Sequence, residues 1–296
     1  MQLSNAMKSL LFNRFIGLLG ICILMAPAAV DAASSTGADS FASLQRQLTA
    51  EGFEADALQA LYARPEVRFE TEGLSMYFVH RESNVNYNQY TDERLIRRAR
   101  TYLDLHQAAF EAAEETYGVD REVITAIILV ETQLGRLVGT RSVLNTLSTL
   151  AALADLRVRQ QLWEEISQSA DLTHSAFDKW ADRKSAWAFR ELTAFLRHAE
   201  TEAFDPAAVK GSFAGAMGIA QFMPSNIDSL ARDGNNDGRI DLFDDADAIA
   251  SIAYYLKIHG WKPGIPRQKA QKVIYHYNHS DPYVEAILSI FDLLRG

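Results

Sequence analysis

The run Val123-Ile-Thr-Ala-Ile-Ile-Leu-Val-Glu131-Thr-Gln-Leu-Gly135 leaves room for little besides a buried helix. Ile124, Ile127 and Ile128 mark one face at helical spacing, and Glu131 takes the next place on that face. A carboxylate that closes a buried apolar stripe is costly when ionised. Burial therefore pushes its pKa up and favours the protonated form near neutral pH. A general acid for a glycosidic oxygen needs that property. The same residue also suits a structural ion pair at a helix end, with a neighbour such as Arg136.

Helical signals dominate the rest of the chain. Residues 41–61 carry apolar side chains at mixed helical spacing around Gly52, whereas 64–90 are the least regular. That stretch holds Pro65, Gly73 and a short apolar patch, 76–79, suited to a strand or an extended arm. Thr91 has the chemistry of an N-cap for a long helix ending at Gly118, with Leu95, Ala99, Tyr102, Leu103, Phe110 and Ala113 inward. Asp120 is placed to cap the helix that bears Glu131. Further helices are expected over 143–169, 175–203, 246–258 and 268–294. Neither a repeat nor a low-complexity linker interrupts them. The expected architecture is mainly α, one compact helical unit over 91–296 with an N-terminal extension over 33–90 and minor β or extended segments.

The first 32 residues read as a secretory signal peptide. Lys8 and Arg14 precede the apolar run from Phe15 to Ala26, and small residues follow through Ala32 and Ala33. The apolar run is short for a membrane span. The only cysteine, Cys22, follows Ile21, where a bacterial lipoprotein signal needs a small residue, so the expected product is periplasmic and not lipidated. Loss of this segment takes the formal charge from −9 to −10, with two positive charges and one negative removed. An acidic chain without a basic stripe excludes nucleic acid as a partner class. At 296 residues the chain is long enough to stabilise its core without disulfides.

A second motif carries metal chemistry. In Asp233-Gly-Asn235-Asn-Asp237-Gly238-Arg239-Ile240-Asp241-Leu-Phe-Asp244, oxygen ligands fall at the first, third and fifth places of an EF-hand loop. Gly238 takes the sharp sixth place, the Arg239 carbonyl the seventh and Asp241 the ninth. The twelfth place holds Asp244 in place of the longer Glu, so Asp247, one helical turn further on, is a rival closing ligand. A solvated Asx-rich turn would use the same residue types. With one such loop and no pair, the expected ion is a single structural Ca²⁺.

Two more segments suit sugar binding. In Lys210-Gly-Ser212-Phe-Ala-Gly215-Ala-Met-Gly218-Ile-Ala-Gln221-Phe-Met-Pro-Ser225, glycines among small residues permit close backbone approach and leave Ser212 and Gln221 free for hydroxyls and amides. A tight turn between two helices would look alike. Tyr275-His-Tyr277-Asn278-His-Ser280-Asp-Pro-Tyr283 gathers aromatic and amide groups that stack on sugar rings, or else fill a core.

In this order, the Val-Glu-Thr around Glu131, the Gly-Ser-Phe-Ala-Gly-Ala-Met-Gly from Gly211, Gln-Phe-Met-Pro-Ser, the calcium loop and Tyr277-Asn278 before Ser280 resemble the lytic murein transglycosylases of the membrane-bound B type. The resemblance covers 91–294; the Trp-bearing segment 153–188 departs from it. It implies a lysozyme-like core and Glu131 as sole catalytic acid/base. It also implies a substrate groove of Ser212, Gln221, Tyr255, Tyr277, Asn278 and Tyr283, and a calcium loop over 233–247. The implied substrate is the peptidoglycan glycan strand, met by a monomer that cell-wall synthesis or division proteins can recruit. The implied reaction splits the bond between N-acetylmuramic acid and N-acetylglucosamine and closes a 1,6-anhydro ring without water. Two other classes use the same residues: a lysozyme-type hydrolase, and a non-catalytic calcium-stabilised wall-binding protein.

Overall fold

The computed structural model describes residues 37–71, 86–167 and 173–296. The signal segment with Cys22, the apolar patch at 76–79 and the end of the helix expected to reach Ser169 lie outside the described residues. The architecture is mainly helical.

The mixed helical spacing over 41–61 resolves into two helices, α1 (Gly37–Ala50) and α2 (Ala55–Tyr62), which turn at Gly52. A 3₁₀ turn (Tyr87–Thr91) leads into α3 (Glu93–Leu105). Its cap is Asp92, one residue later than expected, whose carboxylate accepts from the Arg94 amide. The long helix expected to run to Gly118 is broken at His106, and α4 (Gln107–Tyr117) follows. The break has a tertiary cause. The His106 ring packs 4.3 Å from Tyr102, and its Nε2 lies 3.8 Å from Asp245, to which the Tyr102 hydroxyl donates.

Helix α5 (Arg121–Thr132) is the centre of the core: every residue from Val123 to Val130 is buried, as its all-round apolar sequence requires. Asp120 stands at its N-cap but does not cap it. The carboxylate accepts from Trp261 Nε1 at 2.8 Å instead. The next expected helix splits into α6 (Val143–Ala152), buried along its whole length, and α7 (Leu156–Ile166), which Asp155 caps. Helix α8 (His174–Glu202) lies along α6. Within 153–188, the nearly buried Arg159 ties the Leu153 carbonyl to Asp182, and Phe177 packs between Trp163 and Trp180.

A two-residue antiparallel pair, β1 (Arg141–Ser142) and β2 (Lys210–Gly211), joins the loop after α5 to the glycine-rich loop. A 3₁₀ turn (Pro224–Asn226), α9 (Ile227–Leu230) and α10 (Asp245–Ile258) follow, with α10 packed on α4. The helix expected over 268–294 is α11 (Arg267–Tyr277) and α12 (Asp281–Arg295), because Ser280 caps a new helix whose first turn holds Pro282. Helix α12 packs on α5 and on the Tyr87–Thr91 turn. The segment after α2 is stitched to α6: the Arg68 and Glu70 amides donate to Asn145 and Thr149, and Tyr62 bonds Ser148.

Candidate active site

Glu131 is half-buried at the C-terminal end of α5, where the backbone departs from ordinary geometry. Gln133, Leu134 and Gly135 follow with φ of 50°, 65° and 76°. Left-handed backbone at a Gln and a Leu is uncommon and persists only where surrounding contacts impose it. Thr132 supplies one such contact. Its buried hydroxyl lies 3.2 Å from the carbonyls of both Ile128 and Ile219, and it accepts from the Gly135 amide. The turn is thereby pinned to the glycine-rich loop. The ion pair between Glu131 and Arg136 is not formed; Arg136 lies on a separate cleft wall.

The described contacts of Glu131 are phenolic. Tyr283, in the first turn of α12 and 1% exposed, donates its hydroxyl to Glu131 Oε1 at 2.7 Å. Burial, and then the neighbouring Glu131 charge, hold the Tyr283 phenol well above its usual pKa. The same two causes raise Tyr277 and Tyr90. All three phenols are therefore neutral donors at any physiological pH. Tyr87 packs edge-on against Tyr283 at 5.9 Å and fixes that ring.

The groove candidates divide into two groups. Tyr255 and Tyr277 form an aromatic cluster with Phe222, their rings 4.9 Å apart and T-shaped. Their hydroxyls are engaged with backbone: Tyr277 donates to the Ala220 carbonyl and Tyr255 to that of His276. What they offer a ligand is ring surface. Gln221, at φ 51°, donates Nε2 to the Val138 and Gly218 carbonyls and so locks one loop to the other. Ser212 is tied to its own loop, accepting from the Ala214 and Ala216 amides. Asn278 ends α11 in extended conformation. The close approach expected of the glycines is present. A Cβ at Gly218 would lie 2.4 Å from the Leu242 carbonyl oxygen.

Sequence reading assigned no part to Tyr87, Tyr90 or Thr132. The first two lie in the stretch taken as irregular, where a Tyr-x-x-Tyr pair was the available signal. Thr132 stands in the Val-Glu-Thr motif, where nothing local marks its hydroxyl as the brace of the turn that follows.

In the 233–247 loop, Asp233 accepts from the Asp237 and Gly238 amides, and Asn235 from Asp237. Asp237 and Asp241 accept from the Arg239 and Phe243 amides. Gly238 takes the left-handed geometry expected at the sixth place, with φ 84°. Asp244 caps α10 through Oδ1. Asp247 is 1% exposed and clasps both ends of the loop, its two oxygens each 2.8 Å from the Gly234 and Asp241 amides. Desolvation raises its pKa, and among the described residues it has no salt bridge. No group of three or more His, Cys, Asp or Glu is set to hold a metal among the described residues, so any ion here would rely on the amide and carbonyl oxygens too.

A family model for the transglycosylase SLT domain matches residues 37–271. The chain belongs to that family. The match opens at residue 37, within the segment read as an extension. Over 159 residues, 54% of the chain, it is 38% identical to membrane-bound lytic murein transglycosylase B of Escherichia coli. That aligned region spans 37% of the relative's length. The fold matches the E. coli lytic transglycosylase Slt35 solved in complex with calcium, with TM-score 0.68 and 24% identity over 90% of this chain and 94% of that one. It also matches SltB3 of Pseudomonas aeruginosa, solved with a NAG-anhNAM-pentapeptide. There the TM-score is 0.70 and the identity 19%, over 89% of this chain and 80% of that one. Among the described residues, no helix of this family member is long and apolar enough to cross a membrane.

Proposed function

We propose that this chain is a peptidoglycan lytic transglycosylase, with Glu131 as its single general acid/base. The observation that carries the reading is the 2.7 Å hydrogen bond from a neutral, buried Tyr283 to Glu131 Oε1, at the end of an otherwise apolar helix. That bond holds Oε1, and with it the carboxyl group, in place. As acid, Glu131 protonates the glycosidic oxygen between N-acetylmuramic acid and N-acetylglucosamine, and an oxocarbenium-like centre develops. The substrate's own acetamido group stabilises that centre. Glu131, now a base, takes the proton from the muramoyl C6 hydroxyl, whose oxygen closes the 1,6-anhydro ring. Tyr255, Tyr277 and Phe222 offer the groove its stacking surface, and Ser212, Gln221 and Asn278 its polar groups. Residues 91–296 carry this machinery, Tyr87 fixes the Tyr283 ring, and Tyr62, Arg68 and Glu70 brace α6. Release of soluble muropeptides from purified sacculi by the mature protein tests the activity; intact sacculi after prolonged incubation refute it.

Tyr283→Phe isolates the supporting hydrogen bond. The hydroxyl is removed and the buried ring stays, so initial rates on sacculi should drop by roughly 10–100-fold, the worth of a bond to a charged group. The melting temperature should barely change. An unaltered rate would show that Tyr283 does not position Glu131.

A calcium site fits the 233–247 loop by its donor chemistry, which is hard oxygen throughout, and by the buried Asp247 carboxylate that has only amides for partners. Asp233, Asn235, Asp237 and the Arg239 carbonyl would hold the ion. Asp247, buried and in contact with both ends of the loop, is the closing ligand we favour over Asp244, which stands at the α10 cap. The ion would supply positive charge to a carboxylate-rich loop and take no part in the chemistry.

The remaining parts of the reading concern location. The protein acts in the periplasm after cleavage near Ala33. N-terminal sequencing of the exported form should begin there, without lipid. An acylated Cys22 as first residue would place the enzyme on a membrane instead.

A further inference from the structure

A second cleft, of about 660 Å³, opens between the first turns of α3 and the loop that follows α5. Arg94, Arg98 and Arg136 line it against one carboxylate, Asp92, beside Gln133 and the exposed Leu137. Asp92 is already occupied, its Oδ1 accepting from the Arg94 amide at 3.0 Å. Arg98 reaches the Gln133 carbonyl at a long 3.4 Å. Among the described residues, none of the three guanidinium groups is in a salt bridge, whereas the adjacent Arg97 pairs with Glu93. The chain holds 38 acidic residues against 29 basic ones, so three arginines against one acid around one cleft is a departure from its general balance. Like charges lining one cleft repel each other, and an anion between them removes that repulsion.

We propose that this cleft is an anion subsite that takes a carboxylate of the peptide stem borne by the glycan, a refinement that rests on the function proposed above. Its position carries the assignment. Gln133 is two residues beyond Glu131, and the stem hangs from the muramic acid whose glycosidic bond Glu131 would break. The arginine wall thus adjoins the end of α5 from which the stem would extend. Guanidinium forks match a carboxylate in two parallel hydrogen bonds. Leu137, 60% exposed at the rim, offers contact to the apolar part of a stem residue.

The test is binding of two probes to the mature protein: an anhydro-disaccharide bearing a tetrapeptide, and the same disaccharide stripped of its peptide. The stem-bearing probe should bind roughly tenfold tighter, as expected for a charge-assisted pair. The R94Q/R98Q/R136Q variant, checked by its melting temperature, should lose that preference. So should wild-type protein given a probe whose stem carboxylates are amidated, a comparison that does not depend on a variant folding. Equal binding of the two probes by wild type overturns the subsite. So does a preference that survives in the triple variant or with the amidated stem, or competition by inorganic phosphate with no stem preference. Failure of wild-type protein to degrade sacculi, a separate assay, would count against the proposed activity and not against this site.

Discussion

Glu131→Gln should leave a folded protein whose cleavage of sacculi is lower by roughly 10³–10⁴-fold, since in the proposed reaction one side chain serves both proton transfers. The amide has the shape of the carboxyl, and its oxygen can still accept from the Tyr283 hydroxyl, so α5 and α12 keep their contact. Only proton donation and acceptance are lost. Rates on purified sacculi, read beside the melting temperature, check this. Turnover within tenfold of wild type in a clean preparation would move the acid role to another residue.

Asp247→Ala should be the most damaging single change in the 233–247 loop. The carboxylate is buried and accepts from the Gly234 and Asp241 amides at 2.8 Å each, so it joins the second and ninth places of the loop to α10. Truncation removes both bonds, at about 1 kcal/mol for each of these part-buried amides. It also removes the favoured closing ligand. A ligand bound only to the folded state adds about 2.7 kcal/mol at a hundredfold excess over its dissociation constant. Thermal melting with and without chelator separates the two contributions. Wild type should melt lower in chelator while still cleaving below that temperature. Asp237→Ala should abolish the calcium-dependent shift and alter the metal-free melting little, because its carboxylate is exposed and bonds only the Arg239 amide. Asp247→Ala should lower both. A chelator-insensitive wild type would mean the loop is a hydrogen-bonded turn; cleavage lost on chelation with the fold intact would make the ion functional.

What the sequence disclosed was the local, periodic part of the structure. The isoleucine spacing of α5 forecast its burial because an all-round apolar helix has nowhere else to go. The glycine-rich loop forecast close backbone approach, and Gly218 makes it. Helix breaks were the main misses: His106, residues 153–155 and 278–280 interrupt runs that look continuous. At His106 the cause is a contact with Asp245, distant in the chain and absent from any local pattern. Asp120 misled in the same way, since Trp261 takes the carboxylate that a cap would have used. At the site, the resemblance named Tyr283 as a groove residue, whereas its bond to Glu131 had no local signal. Tyr87 and Tyr90 reach the acid's surroundings only because α12 packs on their turn. The left-handed run after Glu131 was invisible in sequence, for Gln and Leu do not announce such backbone.

The central claim is that the glycosidic bond is broken without water. Mass spectrometry of muropeptides released from sacculi in heavy-oxygen water measures this directly. Products one water lighter than hydrolytic fragments, with no heavy oxygen at the muramoyl end, are the predicted result. Reducing muramoyl ends carrying the heavy oxygen would contradict it and make the protein a lysozyme-type hydrolase.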